Sequence, residues 1–262
     1  MKIELNGKRA IVTGSTKGIG LAIAKGLALS GADVIINGRS RESVEHASEE
    51  LKKATGKAVQ SFVGDLSLAQ DCTKLTETFP SVDILVNNLG IFGERDFYDT
   101  GDDVWEQFFE TNIMSGVRLS RNLTPSMIKK GWGRVIFISS ESAFNIPSEM
   151  IHYGVTKTAL LALSRGLAKR LAGTGVTVNA VLPGPTLSDG MIEQLQDDIK
   201  KNGKTLDQAA RDYVMRMRPS SILQRPTTTD EVANMVVYIA SQQASGTTGA
   251  SIRVDGGVID SI

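Results

Sequence analysis

Tyr153 and Lys157 stand four residues apart in the run Tyr153-Gly154-Val155-Thr156-Lys157. On a helix that spacing puts both side chains on one face, so a phenol and an ammonium become neighbours. A cation beside a phenol favours the phenolate and draws its pKa down from ~10 towards neutrality. Such a tyrosine can give a proton to a carbonyl oxygen or take one from an alcohol. Taken alone the spacing is common, and most such pairs are solvated helix surface. Thirteen residues before Tyr153 the apolar run Gly133–Ser140 ends in Ser139-Ser140. A serine hydroxyl at a strand end can hydrogen-bond a developing oxyanion; it can equally cap a helix or a turn.

A second constellation is Thr13-Gly14-Ser15-Thr16-Lys17-Gly18-Ile19-Gly20. It follows the short apolar run Arg9–Thr13 and opens the helical stretch Gly18–Ser30. Glycine there lets the backbone turn tightly and lets a pyrophosphate approach the main chain. The free N–H groups and positive dipole of the helix start would face that anion. The spacing is G-x-x-x-G-x-G, not the commoner G-x-G-x-x-G. At the end of the next strand an acid would accept from a ribose 2′-OH, whereas a base would pair with a 2′-phosphate. The chain reads Asn37-Gly38-Arg39-Ser40, with no carboxylate. Arg39, with Lys17 inside the turn, favours NADP(H) over NAD(H); the plain alternative is two surface cations.

The elements that must position these groups follow from hydrophobic periodicity. Short apolar runs at 9–13, 32–37, 59–63, 82–87, 133–140, 175–182 and 250–254 read as strands. Longer amphipathic stretches lie between them, including Ser40–Thr55 and one starting near Thr229. Buried strands separated by helices predict a parallel sheet covered on both faces. Right-handed crossovers then give a three-layer, doubly wound α/β fold of Rossmann type. No linker, repeat or low-complexity tract interrupts the chain, so residues 1–262 read as one dinucleotide-binding and catalytic domain. The polar, helical segment 186–226 breaks the alternation after a strand's C-terminal end. It reads as a substrate lid over the ligand crevice, or as a surface helix pair.

Composition narrows the class. The 262 residues carry 29 basic and 29 acidic side chains, so the net charge is zero. That balance argues against nucleic-acid binding and, with 41% hydrophobic residues, against disorder. The N-terminus has no apolar leader core and no run is long enough to span a membrane. One cysteine, Cys72, points to a reducing compartment and a cytoplasmic protein. It reads as a buried structural thiol, and the two histidines and the cysteine lack metal-ligand spacing.

With these motifs in order, the chain resembles the short-chain dehydrogenase/reductase family, in particular its 3-oxoacyl-[acyl-carrier-protein] reductase-like branch. The resemblance covers nearly the whole chain. Thr13–Gly20 matches T-G-x-x-x-G-x-G, and Asp65-Leu66 the acidic position that contacts adenine. Asn87-Asn88-Leu89-Gly90 matches N-N-A-G with leucine for alanine. Asn112 matches an asparagine of the long central helix, and Ser140, Tyr153 and Lys157 match the catalytic trio. Pro183-Gly184 with Thr186 matches the motif at the nicotinamide end, and Asp255-Gly256-Gly257 a C-terminal signature. The resemblance implies hydride exchange between NADP(H) and a carbonyl or secondary alcohol. Tyr153 would be general acid/base, Lys157 would lower its pKa and hold ribose hydroxyls, and Ser140 would polarise the carbonyl. Asn112 would help hold a relay water. Gly14, Ser15, Thr16, Lys17, Gly18, Ile19, Gly20, Arg39, Ser40, Asp65, Leu66, Asn88, Gly90, Pro183, Gly184 and Thr186 would bind the cofactor with Tyr153 and Lys157. It also implies a homotetramer or homodimer through the Tyr153 helix, where Gly166, Ala168 and Ala172 would allow close contact.

Rival readings are a catalytically silent NADP(H)-binding sensor or scaffold, and a nucleotide-sugar epimerase or dehydratase. The second normally needs a larger C-terminal domain than the ~80 residues left here. His152 reads as a pocket or surface residue rather than a base, and His46 as solvated. Asp102-Asp103 should open a helix. Arg216, Arg218 and Arg225 could meet an anionic carrier, with solvated surface the better reading. Phe92, Glu141, Phe144, Pro147, Met150, Leu187 and Met191 should line a partly apolar pocket for a small-molecule substrate.

Overall fold

The computed structural model describes residues 2–262. Met1, first in the stretch read as lacking a leader core, lies outside the described residues. Short Val- and Ile-rich runs form the strands, because β-branched side chains suit a surface buried on both faces. The strands are β1 (Arg9–Val12), β2 (Asp33–Gly38), β3 (Gln60–Val63), β4 (Ile84–Asn87), β5 (Gly133–Ile138) and β6 (Val176–Pro183). A two-residue ribbon joins β7 (Thr186–Leu187) to β8 (Thr227–Thr228), and β9 (Ser251–Val254) completes the set. The main sheet has seven strands in the order β3-β2-β1-β4-β5-β6-β9, and every pair is parallel. All seven runs read as strands from the sequence take part, with ends that differ by one or two residues.

Helices cover both faces. α1 (Gly18–Leu29) and α2 (Arg41–Thr55) lie on one side with α9 (Thr229–Ala240), and share a core with Val12, Ile36 and Val86. On the other side lie α3 (Ala69–Thr78), α5 (Ser115–Lys130) and α6 (Ile151–Arg170), packed on Ile11, Leu85, Val135 and Val178. α4 (Asp102–Phe109) begins at the expected acidic pair and runs into a π-helical segment, Glu110–Met114, before α5. Strand order reverses between β1 and β4, so the chain opens a crevice at the C-terminal ends of those strands.

The segment 186–226 contains α7 (Asp189–Asn202) and α8 (Leu206–Met217), which close on a small core of their own: Met191, Leu195, Ala209, Ala210 and Val214. Local signals start both helices. Ser188 accepts from the Met191 amide, and Thr205 with Gln208 forms a capping box. The β7–β8 ribbon pins the segment's two ends together, which the helical reading of 186–226 did not include.

Three expectations need correction. His152 is neither pocket nor surface: it is 2% exposed and meets the edges of Trp105 and Phe108. Ala168 is buried in the core and Ala172 lies beyond the end of α6. Arg218 is not solvated, as its partners below show. Among the described residues no helix is long and apolar enough to cross a membrane. No cluster of three His, Cys, Asp or Glu there is placed to hold a metal.

Candidate active site

The crevice holds ≈ 420 Å³ and is lined by the turn after β1, the ends of β4, β5 and β6, the start of α6, and α7 and α8. Its first wall is the glycine turn. Gly14 and Gly18 have φ of +57° and +58°, a left-handed backbone that favours glycine. At Gly20 a Cβ would collide with the Gly14 carbonyl and the Asn88 side chain. Two asparagines fasten the turn. Asn88 Nδ2 donates to the Thr13 and Gly14 carbonyls at 2.9 and 3.0 Å. The Gly14 amide donates to Asn37 Oδ1 at 3.1 Å, and Asn37 Nδ2 donates to the carbonyls of Phe62 and Gly64. Asn37 thus ties the ends of β1, β2 and β3 together, a role that sequence reading missed. Its one signal was a buried-strand position held by an amide.

No Lys17 side-chain bond caps α1. Instead the Gly18 amide donates to Asp189 Oδ2, at 2.8 Å, from the first residue of α7. The turn therefore already holds an anionic group, supplied by the chain itself 171 residues away. A left-handed glycine turn, a helix start and a bound carboxylate are the parts of a phosphate cradle, so these residues fit a dinucleotide.

The second wall carries the titratable groups. The short turn after β5 and the start of α6 meet because Gly154 has no side chain: a Cβ there would lie 2.6 Å from Ile146 Cγ2 and 3.2 Å from the Ser142 carbonyl. The two serines divide their tasks. Ser139 Oγ donates to the Lys157 carbonyl at 2.8 Å, strapping β5 to α6. Ser140 Oγ accepts from the Ser142 amide at 3.1 Å, and Ser140 shares the crevice with the Tyr153 phenol. Burial pushes that phenol up to about 12, against the pull of the nearby Ser140 hydroxyl. Lys157 is buried, and burial pulls its ammonium down to about 8. Its Nζ donates to the Ile138 carbonyl at 2.9 Å and lies 5.5 Å from the centre of the Tyr153 ring. The expected lowering of the phenol is thus overridden by desolvation.

Asn112 sits behind this wall, on the π-helical segment. Its Oδ1 accepts from the Ile91 amide at 2.8 Å; its Nδ2 donates to the Ile91 carbonyl and to Thr156 Oγ1, both at 3.0 Å. Both N–H donors are spent, so Asn112 keeps only acceptor capacity toward a water. A Cβ on Gly90 would lie 3.3 Å from Lys157 Nζ and 3.4 Å from Asn112 Oδ1, so this glycine lets the strand end pass between them.

The structure gathers Gly14, Lys17, Gly18, Ile19, Gly20, Asn88, Gly90, Ser140, Tyr153, Lys157, Pro183, Gly184 and Thr186 on the crevice. Others stand off it. Ser15 is buried, its Oγ donating to the Val12 carbonyl. Thr16 lines a neighbouring hollow. Ser40 caps α2 and Arg39 is exposed. Asp65 Oδ1 accepts from the Ser67 amide and hydroxyl, and Leu66 is buried in the core. Of the expected pocket residues, Phe92, Glu141, Met150 and Met191 line the crevice; Phe144, Pro147 and Leu187 do not.

The far wall joins the insertion to β5. Arg218, 13% exposed, donates through Nε to Glu141 Oε1 at 2.8 Å, with Glu149 Oε1 3.7 Å from its Nη1. Arg225 pairs with Glu231 through two bonds of 3.0 and 2.8 Å. Arg216 stacks over Tyr213 at 5.7 Å. The insertion's arginines are thus engaged with the chain's own side chains.

Comparison with known proteins agrees with this geometry. Residues 8–199 match the short chain dehydrogenase family. An uncharacterized oxidoreductase of Bacillus subtilis (strain 168), YvaG, is 47% identical, with all of both chains covered. A 3-oxoacyl-[acyl-carrier-protein] reductase, FabG, of Aquifex aeolicus is 35% identical over 98% of this chain and 100% of its own. An L-sorbose reductase from Gluconobacter frateurii, crystallised with NADPH and L-sorbose, superposes with a TM-score of 0.91 at 30% identity, all of both chains covered. With a sheet that reverses order above a glycine turn, and a Ser–Tyr–Lys wall facing it, the chain belongs to the short-chain dehydrogenase family and is an oxidoreductase.

Proposed function

We propose that the protein is an NADP(H)-dependent carbonyl reductase, able to run in reverse as an alcohol dehydrogenase. One observation carries this reading: Ser140, Tyr153 and Lys157 share a single crevice with the glycine turn. When bound, the dinucleotide supplies or accepts the hydride. The chain's own residues handle the proton. Ser140 and Tyr153 bind the carbonyl oxygen, and Tyr153 gives it the proton that turns the ketone into an alcohol. A phenol kept protonated by burial is ready to donate, which supports the reductive direction. Lys157, near 8, can pass a replacement proton towards Tyr153, with Asn112 holding the relay water. Residues 186–226 act as the lid that closes over substrate.

The cofactor preference rests on Lys17 and Arg39. Both are exposed, and neither has an ion-pair partner among the described residues. A 2′-phosphate would supply one. NADPH in the L-sorbose reductase crystal supports the same choice. Arg39, Ser40, Asp65 and Leu66 would lie toward the adenosine end. Val155, Ala162 and Gly166 lie exposed along α6, and such a small-residue face supports assembly into a homotetramer or homodimer. The one thiol, buried at Cys72, supports a reducing, cytoplasmic setting.

The test is a carbonyl panel followed by NADPH absorbance. Tyr153→Phe should lower kcat by about 10²–10⁴-fold while NADPH still quenches fluorescence at the parent concentration. Unchanged turnover would refute the assignment. NADPH should bind more tightly than NADH, and Arg39→Asp should erode that order.

A further inference from the structure

The carboxylate beside Ser140 is only partly satisfied. Glu141 begins the one-turn helix Glu141–Ala143 and is 3% exposed. Its Oε1 accepts from Arg218 Nε at 2.8 Å and from Ser142 Oγ at 3.0 Å. Its Oε2 is buried with no partner. Burial raises the Glu141 pKa, with the Arg218 charge working the other way. A buried carboxylate oxygen left unpaired is costly, and native proteins keep such groups where a ligand or water uses them.

Arg218 reaches Glu141 from the chain beyond α8. Its Nε is used on Glu141 and its Nη1 on the Met217 carbonyl, at 2.7 Å. Both residues line the crevice together with Ser140 and Tyr153. Two carboxylates, Glu141 and Glu149, surround this one guanidinium, so the cluster has no positive charge to spare. An anionic group would meet a neutralised arginine and a surplus acid. A neutral hydroxyl fits better, because its O–H can donate to the Glu141 carboxylate while its oxygen accepts from the guanidinium. Phe92, Met150, Met191 and Met217 give the carbon chain an apolar bed.

We propose that Glu141 and Arg218 form a hydroxyl-reading subsite next to the reacting carbon. It selects neutral ketones with a hydroxyl beside the carbonyl, such as ketoses, and the matching polyols. The inference rests on the oxidoreductase reading above. Glu141 is its specificity-determining residue.

The first test needs no variant. The holoprotein's kcat/KM for a six-carbon ketose is compared with that for a 2-alkanone and a 2-oxo acid of equal length. A site built to hydrogen-bond a hydroxyl rejects the analogue lacking it, so the ketose should win by roughly 10²-fold or more. Glu141→Gln, which keeps the volume, should shrink that ratio by about 10-fold or more, chiefly through KM. A merely structural role would lower all three substrates together and leave the ratio alone. Calorimetry on the Tyr153→Phe holoprotein, which binds without turning over, should detect the ketose. Tyr153→Phe with Glu141→Gln should not. If Glu141→Gln does not fold, Arg218→Gln takes its place. Preference for the alkanone or the oxo acid overturns the subsite and leaves the carbonyl-reductase reading intact. If no carbonyl or alcohol turns over, that reading fails, and the calorimetric pair alone judges the subsite: absence of ketose binding overturns it.

Discussion

The two walls of the crevice are built from different materials. The wall at the glycine turn is made of main chain, clamped by neutral amides and hydroxyls: Asn88 on two carbonyls, Asn37 on three strand ends, Thr13 Oγ1 accepting from the Asn88 and Leu89 amides. The far wall, where the insertion meets β5, is made of charges that answer one another, Arg218 with Glu141 and Glu149. Neutral clamps hold one shape at little desolvation cost, which suits a surface that reads a ligand through its backbone. Buried charges hold a shape only while every partner is present, which suits a surface that responds to what enters. Asp189 joins the two, setting a carboxylate from the insertion on the Gly18 amide of the glycine turn.

Four measurements would break or sharpen this contrast. The largest effect belongs to Lys157. In the cofactor-free chain it is a buried ammonium held at about 8, below the ~10.5 of an unfolded lysine. The folded state therefore resists its proton, and that penalty is full below pH 8 and gone above ~10.5. Lys157→Met should cut turnover by about 10²–10⁴-fold yet stabilise the cofactor-free chain by about 1–3 kcal/mol at pH 7. Thermal melts should show the gain shrinking as pH rises from 8 to 10. A lower Tm at pH 7 would mean that the lysine is a structural part of its wall.

Next comes Asn88→Ala, which leaves the Thr13 and Gly14 carbonyls without their donor. It should cost about 1–3 kcal/mol by chemical denaturation and weaken dinucleotide binding as the turn relaxes. An unaltered dissociation constant would argue that the turn holds its shape unaided. Asp189→Asn removes the charge that rests on the turn. It should tighten dinucleotide binding several-fold by fluorescence titration, an effect that weakens with added salt; looser binding would make Asp189 a helper rather than a competitor. The smallest effect belongs to Arg225→Gln. Its partner Glu231 is held down at about 2 by the guanidinium and by the Thr228 amide, but the pair is partly exposed. The loss should stay below about 1 kcal/mol. It should be visible above pH ~4.5 and vanish as pH falls toward 2.

Much of the scaffold was legible because its signals are local. Seven short apolar runs became seven strands, and Asp102-Asp103 opened α4. Gly14 to Gly20 formed a turn at the head of α1, and Tyr153 and Lys157 share a helix. The failures share one cause. His152 read as a pocket or surface residue because no contact across the fold is visible in the chain, yet α4 packs Trp105 and Phe108 against it. Arg218 looked solvated because its own segment is charged, yet its partner lies 77 residues away. The phenol looked acidic because a lysine stands one turn along, yet burial raises it, and the cation that pulls the other way is the distant Arg218.

What the amino-acid order determined unaided is the set of elements and their punctuation: which runs are apolar on both faces, where a chain must turn through left-handed backbone, which helices begin at a capping residue. Those preferences act within a few residues and need no partner. Packing decided the rest: the sheet order that lays four strand ends along one crevice, the carboxylate set on the Gly18 amide, the ion pair beside Ser140, and the proton affinities of Tyr153 and Lys157. Each depends on distance through folded space and on exclusion of water, and neither exists until the layers have closed.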